Sequence, residues 1–107
     1  AAQQGYEHYL SRLQSLPVVR TNLAAIYLHQ GRYQEAVRLL DLALMEAPSY
    51  AEALCNRGYL AILQGDPELA VVYLEQAIQQ SPALVPALGH LVTLYRQSNR
   101  SEEALVW

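Results

Sequence analysis

The sequence has no lysine, no phenylalanine and a single cysteine, Cys55. One thiol excludes an intrachain disulfide and any multi-thiolate metal site, and it leaves the redox compartment open, with the cytoplasm as the default. Seven arginines set against ten acids give a net charge of -3 with no block of like charge, so nothing could track a phosphate backbone and nucleic acid is not an expected partner. No apolar run approaches the ~20 residues that a membrane helix needs, and the first residues, Ala1 to Ser11, lack the basic-then-apolar pattern of a secretory signal. Membrane insertion is therefore not expected. Also missing are a glycine-rich phosphate loop, a nucleophile elbow and acids paired in an apolar setting. His8, His29 and His90 have no carboxylate or second histidine at helical ligand spacing. The sequence thus points to no enzyme, no cofactor and no metal. With eight Tyr and one Trp but no Phe, most aromatic bulk carries a polar tip that must reach a surface or a partner.

What the chain does have is a repeat. Sliding it against itself by 34 residues places Asn22 on Asn56, Gly31 on Gly65, Ala36 on Ala70, Leu40 on Leu74, Ala43 on Ala77 and Pro48 on Pro82. A further step takes Leu54 to Leu88, Gly65 to Asn99 and Ala70 to Ala104, and two steps separate Tyr27 from Tyr95. Each unit reads as two helices. The first starts near Pro17, Ala51 and Leu84, carries apolar residues at helical spacing, and stops at Gly31, Gly65 and Asn99, residues that accept a left-handed C-cap. The second starts almost at once, signalled by Asp66 before Pro67 and by Ser101 before Glu102 and Glu103. Ala36, Leu40, Ala43 and Leu44, like Ala70, Leu74, Ala77 and Ile78, form a stripe with small residues where two helices approach. Pro48 and Pro82 end these helices.

These residues, with the small Gly58 at a helix-pairing position, resemble the tetratricopeptide repeat (TPR) family over Pro17 to Trp107. The resemblance implies an all-α fold of antiparallel helix-turn-helix hairpins stacked as a right-handed superhelix, an α-solenoid. It divides the chain into a repeat at 17–50, a second at 51–84 and an incomplete third at 85–107, all in one TPR domain spanning 1–107. Residues 1–16 carry a stripe of Ala2, Tyr6, Tyr9, Leu10, Leu13 and Leu16. There, Ala2 and Tyr6 share the phase of Ala36 and Leu40, which reads as the second helix of a partial preceding repeat. Neither end supplies a polar capping helix, so a piece of a longer array is expected, and Leu105, Val106 and Trp107 are candidates for pairing with another copy. The sequence departs from the family pattern where an aromatic is usual early in each first helix, with Arg20, Leu54 and Leu88 in its place. Ala24 and Val92 stand where glycine is usual, and Arg57 replaces the leucine seen at Leu23 and Leu91.

In the family the concave side is lined by the first helix of each repeat, and partner segments lie there. Mapped onto this chain, the lining is Val18, Thr21, Asn22, Ala25 and His29; then Glu52, Cys55, Asn56, Tyr59 and Leu63; then Pro86, Gly89, His90, Thr93 and Gln97. The expected function is a scaffold that binds a neutral or apolar peptide or helix of another protein in this groove. Asn22 and Asn56 could bond a peptide backbone or serve local groups, and Tyr59 could line the groove or pack between helices. Some family members clamp a chaperone's C-terminal carboxylate through Lys, Asn, Asn, Lys and Arg. Here those positions hold Thr21, Ala25, Asn56, Pro86 and His90, so the cations needed to offset carboxylate desolvation are missing. The competing reading is a structural spacer or homo-oligomerisation module within a larger TPR protein.

Overall fold

The computed structural model describes residues 16–97. Among them are five α-helices and no strands: α1 Pro17–His29, α2 Tyr33–Glu46, α3 Ala51–Leu63, α4 Pro67–Gln80 and α5 Val85–Gln97. The helix bounds themselves keep the repeat, since α1, α3 and α5 begin and end at steps of 34 residues, as do α2 and α4. The stripes around Ala2 and Tyr6 and around Leu105 and Trp107, the stop at Asn99 and the start at Ser101 lie outside the described residues.

The helix ends follow from the punctuation. Gly31 and Gly65 hold φ of 79° and 81°, a region that a Cβ disfavours. Behind each, two amides fold back on the helix. The N–H of Arg32 donates to Tyr27 O and that of Gly31 to Leu28 O, and the N–H of Asp66 donates to Ala61 O and that of Gly65 to Ile62 O. This pattern is the Schellman motif, and it occupies carbonyls that the helix end would otherwise leave unpaired. The chain then re-enters a helix within a few residues. At α4 the carboxylate of Asp66 accepts from the N–H of Leu69 at 3.2 Å and Pro67 takes the first helical position. The residues before Pro48 and Pro82 are extended, with Ala47 at φ −138° and Ser81 at φ −142°, as the proline ring demands of its predecessor.

The chain divides into two compact units, Ala1–Pro48 and Ser49–Trp107. In the first, α1 and α2 form a hairpin whose interior is Thr21, Ala24, Leu28, Ala36, Leu40 and Ala43. Arg20, where an aromatic is usual, reaches across the hairpin's open end to Glu46, Nη1 to Oε1 at 2.6 Å. In the second unit, α4 packs on α3, and α5 packs on both. Leu60, Leu74 and Leu91 are fully buried there, and each buried leucine contributes about 2 kcal/mol of transfer free energy. Gly58 is where α3 and α4 come closest: a Cβ built on it would lie 2.7 Å from Leu74 Cγ and 3.2 Å from the carbonyl oxygen of Ala70. Arg57 is accommodated by placing its guanidinium over the Tyr73 ring at 5.1 Å. Tyr95 buries its ring and donates its hydroxyl to Glu75 Oε1 at 2.7 Å, tying α5 to α4.

Candidate partner-binding face

On α3 the positions Glu52, Asn56, Tyr59 and Leu63 recur at intervals of four, three and four, which keeps them on one helix face. On α5 Pro86, His90, Thr93 and Gln97 repeat the same spacing. One contact joins the two rows. The rings of Tyr59 and His90 stack at 4.7 Å between centroids with 21° between planes, so in this unit the two stripes are adjacent. Tyr59 and His90 are half-buried, while Glu52, Leu63, Pro86, Thr93 and Gln97 are exposed. Burial lowers the His90 pKa below its ordinary value of 6.5, because a charged imidazolium loses hydration there. The imidazole is therefore neutral at pH 7, and Glu52 is the only charged residue among those named on this face.

In the first unit α1 carries Asn22 and His29, both exposed, and a half-buried Ala25, in the register of Asn56, Leu63 and Tyr59. Asn22 and Asn56 make no side-chain hydrogen bond with any other described residue, so neither amide serves the local structure that was open as an alternative. Asn56 is half-buried beside the Tyr59 row, with its amide still reachable.

Two of the candidate residues are withdrawn from the surface. Thr21 is 3% exposed and donates its hydroxyl to the Pro17 carbonyl at 2.7 Å. Cys55 is buried, and burial together with the Glu52 charge pushes its thiol up to about 11. It is a packed small residue with almost no thiolate at neutral pH. Thr93 stays exposed but spends its hydroxyl on the Gly89 carbonyl at 3.0 Å. In both threonines this i−4 back-bond leaves the methyl group as the free feature. The Tyr59–His90 pairing was not visible in the sequence as a pairing. Its signal is a spacing of 31 residues, which joins the register of Ala25, Tyr59 and Thr93 to that of Asn22, Asn56 and His90 in the next first helix.

Among the described residues no group of three His, Cys, Asp or Glu side chains could hold a metal ion, and no helix is long and apolar enough to cross a membrane. A tetratricopeptide repeat profile matches residues 15–83, and a second matches 61–107. The chain belongs to the tetratricopeptide repeat family. Its fold is all-α and of the helical-repeat, solenoid type, and its class is that of protein-interaction scaffolds, which are generally non-catalytic. No curated protein matches the sequence. Among solved structures, "Crystal structure of MamA" aligns with a TM-score of 0.79 at 20% identity, covering 86% of this chain and 54% of that one. "Crystal structure of MamA protein" aligns with a TM-score of 0.76 at 20% identity, covering 86% and 50%. This TPR chain spans about half the length of those neighbours, and at such identity the likeness is one of fold alone.

Proposed function

We propose that this TPR chain binds a neutral or apolar segment of another protein against its first helices, with the face of α3 and α5 as the principal contact surface. The observation that carries this reading is the combination at Asn56 and its neighbours: an amide not spent on any described residue, beside a half-buried Tyr59–His90 stack and an exposed Leu63. A segment laid there exchanges hydrogen bonds with the amide while covering apolar surface, as in extended-peptide or helix-in-groove recognition. An anionic chain terminus fits poorly, because Glu52 repels it and Pro86 and His90 occupy two of the clamp's cationic places.

The test is affinity capture with the chain beside an Asn56→Ala, Tyr59→Ala double variant of unchanged helicity. A partner held by the first and lost by the second supports the reading. Identical catches from both refute it. A second reading, self-association, has its own observation: Met45 and Val85 are 78% and 72% exposed, and exposed apolar groups of this size gain by burial against another surface. Sedimentation of the chain and of a Leu105→Ser, Trp107→Ser variant separates the readings, since an oligomer loses mass on substitution and a monomeric binder does not.

A further inference from the structure

The partner-binding face is not uniform along α3. At its start stands Glu52, exposed and joined to no cation among the described residues. Two turns on lies the Tyr59–His90 stack, half-buried and so with part of its ring surface still open. Seven residues of helix separate the two features by about 10 Å. A carboxylate in the first turn also suits the positive end of a helix, but that end is equally stable with Val18 or Pro86, which hold the same place in α1 and α5. The negative field at Glu52 is felt by its surroundings: after burial, it is the second cause that raises both the Cys55 thiol and the Tyr50 hydroxyl.

We infer that the segment accepted by this face carries a basic residue for Glu52 and a ring, aromatic or proline, for the Tyr59–His90 stack. The two are three residues apart if the segment is extended and seven apart if it is helical. Both spacings follow from reach: three extended residues span about 10 Å, as do seven helical ones. The ring gains area and stacking contact on a surface that is already planar. The cation gains a partner that no described arginine has taken. The rest of the segment is uncharged or apolar, since Leu63, Thr93 and Gln97 present nothing to a further charge. This inference rests on the face of α3 and α5 being the binding surface.

The experiment is selection from a displayed library of random linear peptides, run in parallel on the chain and on its Glu52→Gln and Tyr59→Ala variants, each first shown to keep its helicity. Peptides enriched on the unaltered chain are expected to pair Arg or Lys with a ring residue at one of the two spacings. Glu52→Gln is expected to lose the preference for the basic residue and keep that for the ring, and Tyr59→Ala to lose the ring. A single selected peptide should bind Glu52→Gln about threefold more weakly, as an exposed ion pair allows, and added salt should reproduce that loss on the unaltered chain. Ring-bearing peptides with no basic preference overturn this inference and leave the face intact as a binding surface. Enrichment that ignores both substitutions, or no enrichment at all, overturns the inference and the proposed function together.

Discussion

Replacing Gly58 by alanine sets two opposed terms against each other, and the structure says which one wins. Alanine in a helix interior is favoured over glycine by about 1 kcal/mol. The new methyl, however, would lie 2.7 Å from Leu74 Cγ and 2.9 Å from its Cδ2, where carbon contacts are optimal near 3.5–4.0 Å. Because Cγ is the branch point of the leucine, not its free end, relief requires α3 and α4 to move apart. Overpacking of this kind costs about 1–3 kcal/mol, so Gly58→Ala is expected to destabilise by about 1 kcal/mol net, lowering Tm by about 4 °C for a chain of this length. Leu74→Ala alone removes a fully buried side chain and costs about 3 kcal/mol. In the double variant the clash is gone and the helix gain remains, so it should be no less stable than Leu74→Ala and up to about 1 kcal/mol more stable, a coupling of about 2 kcal/mol. Urea unfolding followed by far-ultraviolet circular dichroism on the four proteins measures the cycle. If the two costs simply add, to within ~0.5 kcal/mol, Gly58 is not held small by Leu74 and the reasoning fails. The first hairpin supplies a natural control, since Ala24 occupies the equivalent place fully buried. Ala24→Gly should therefore destabilise by about 1 kcal/mol or more.

Cys55, with its thiol near 11 against an ordinary 9.0, should react with iodoacetamide at pH 8 about 100-fold more slowly than a free thiol, from thiolate fraction alone. Its preference for the neutral form contributes stability that is present below pH 9 and lost as pH rises through about 11; labelling at the rate of a small thiol would contradict both statements. His90 has the opposite sign. Its folded pKa lies below 6.5, so stability holds above that pH and falls as acid drives a proton onto the half-buried ring. His90→Gln should flatten that fall in urea midpoints measured from pH 7 downward. Gly31→Ala and Gly65→Ala each force a Cβ into positive φ and should cost about 1 kcal/mol, with asparagine costing less; equal stability would mean that the turns relax to another conformation. Tyr95→Phe removes the bond to Glu75 and should cost about 1 kcal/mol, measured by the same unfolding curves.

How far the sequence could be read depended on whether a feature was local. Gly31, Gly65, Pro48, Pro82 and Asp66 act through their own φ, their own missing N–H or a cap three residues away, and the helix bounds fall where these residues put them. Ala36, Leu40, Ala70 and Leu74 were legible because their 34-residue recurrence can only arise from a repeated packing surface. Side-chain partnerships between helices were not. Arg20 reads as a lost aromatic until Glu46 is found opposite it, and Arg57 as a lost leucine until Tyr73 is found beneath it. The candidate face shows the same division. Spacing alone put Thr21 and Cys55 in the same rows as Asn22 and Asn56, because a helical wheel gives direction but not depth. Which of two neighbouring positions is buried depends on the helix that covers them.

The closure of the first hairpin by Arg20 and Glu46 means that its two ends are held by different forces. At the corresponding place in the second unit stands Leu54, 4% exposed, whose contribution is indifferent to dissolved ions. The Arg20–Glu46 pair, with side chains 19% and 39% exposed, weakens as ionic strength rises. Concentrated salt should thus loosen the N-terminal hairpin while tightening the other by excluding water from apolar surface. Hydrogen exchange on α1 and α2 would accelerate as that on α3 and α4 slows, so the two halves of one repeat protein would serve as opposed sensors of the same solvent variable.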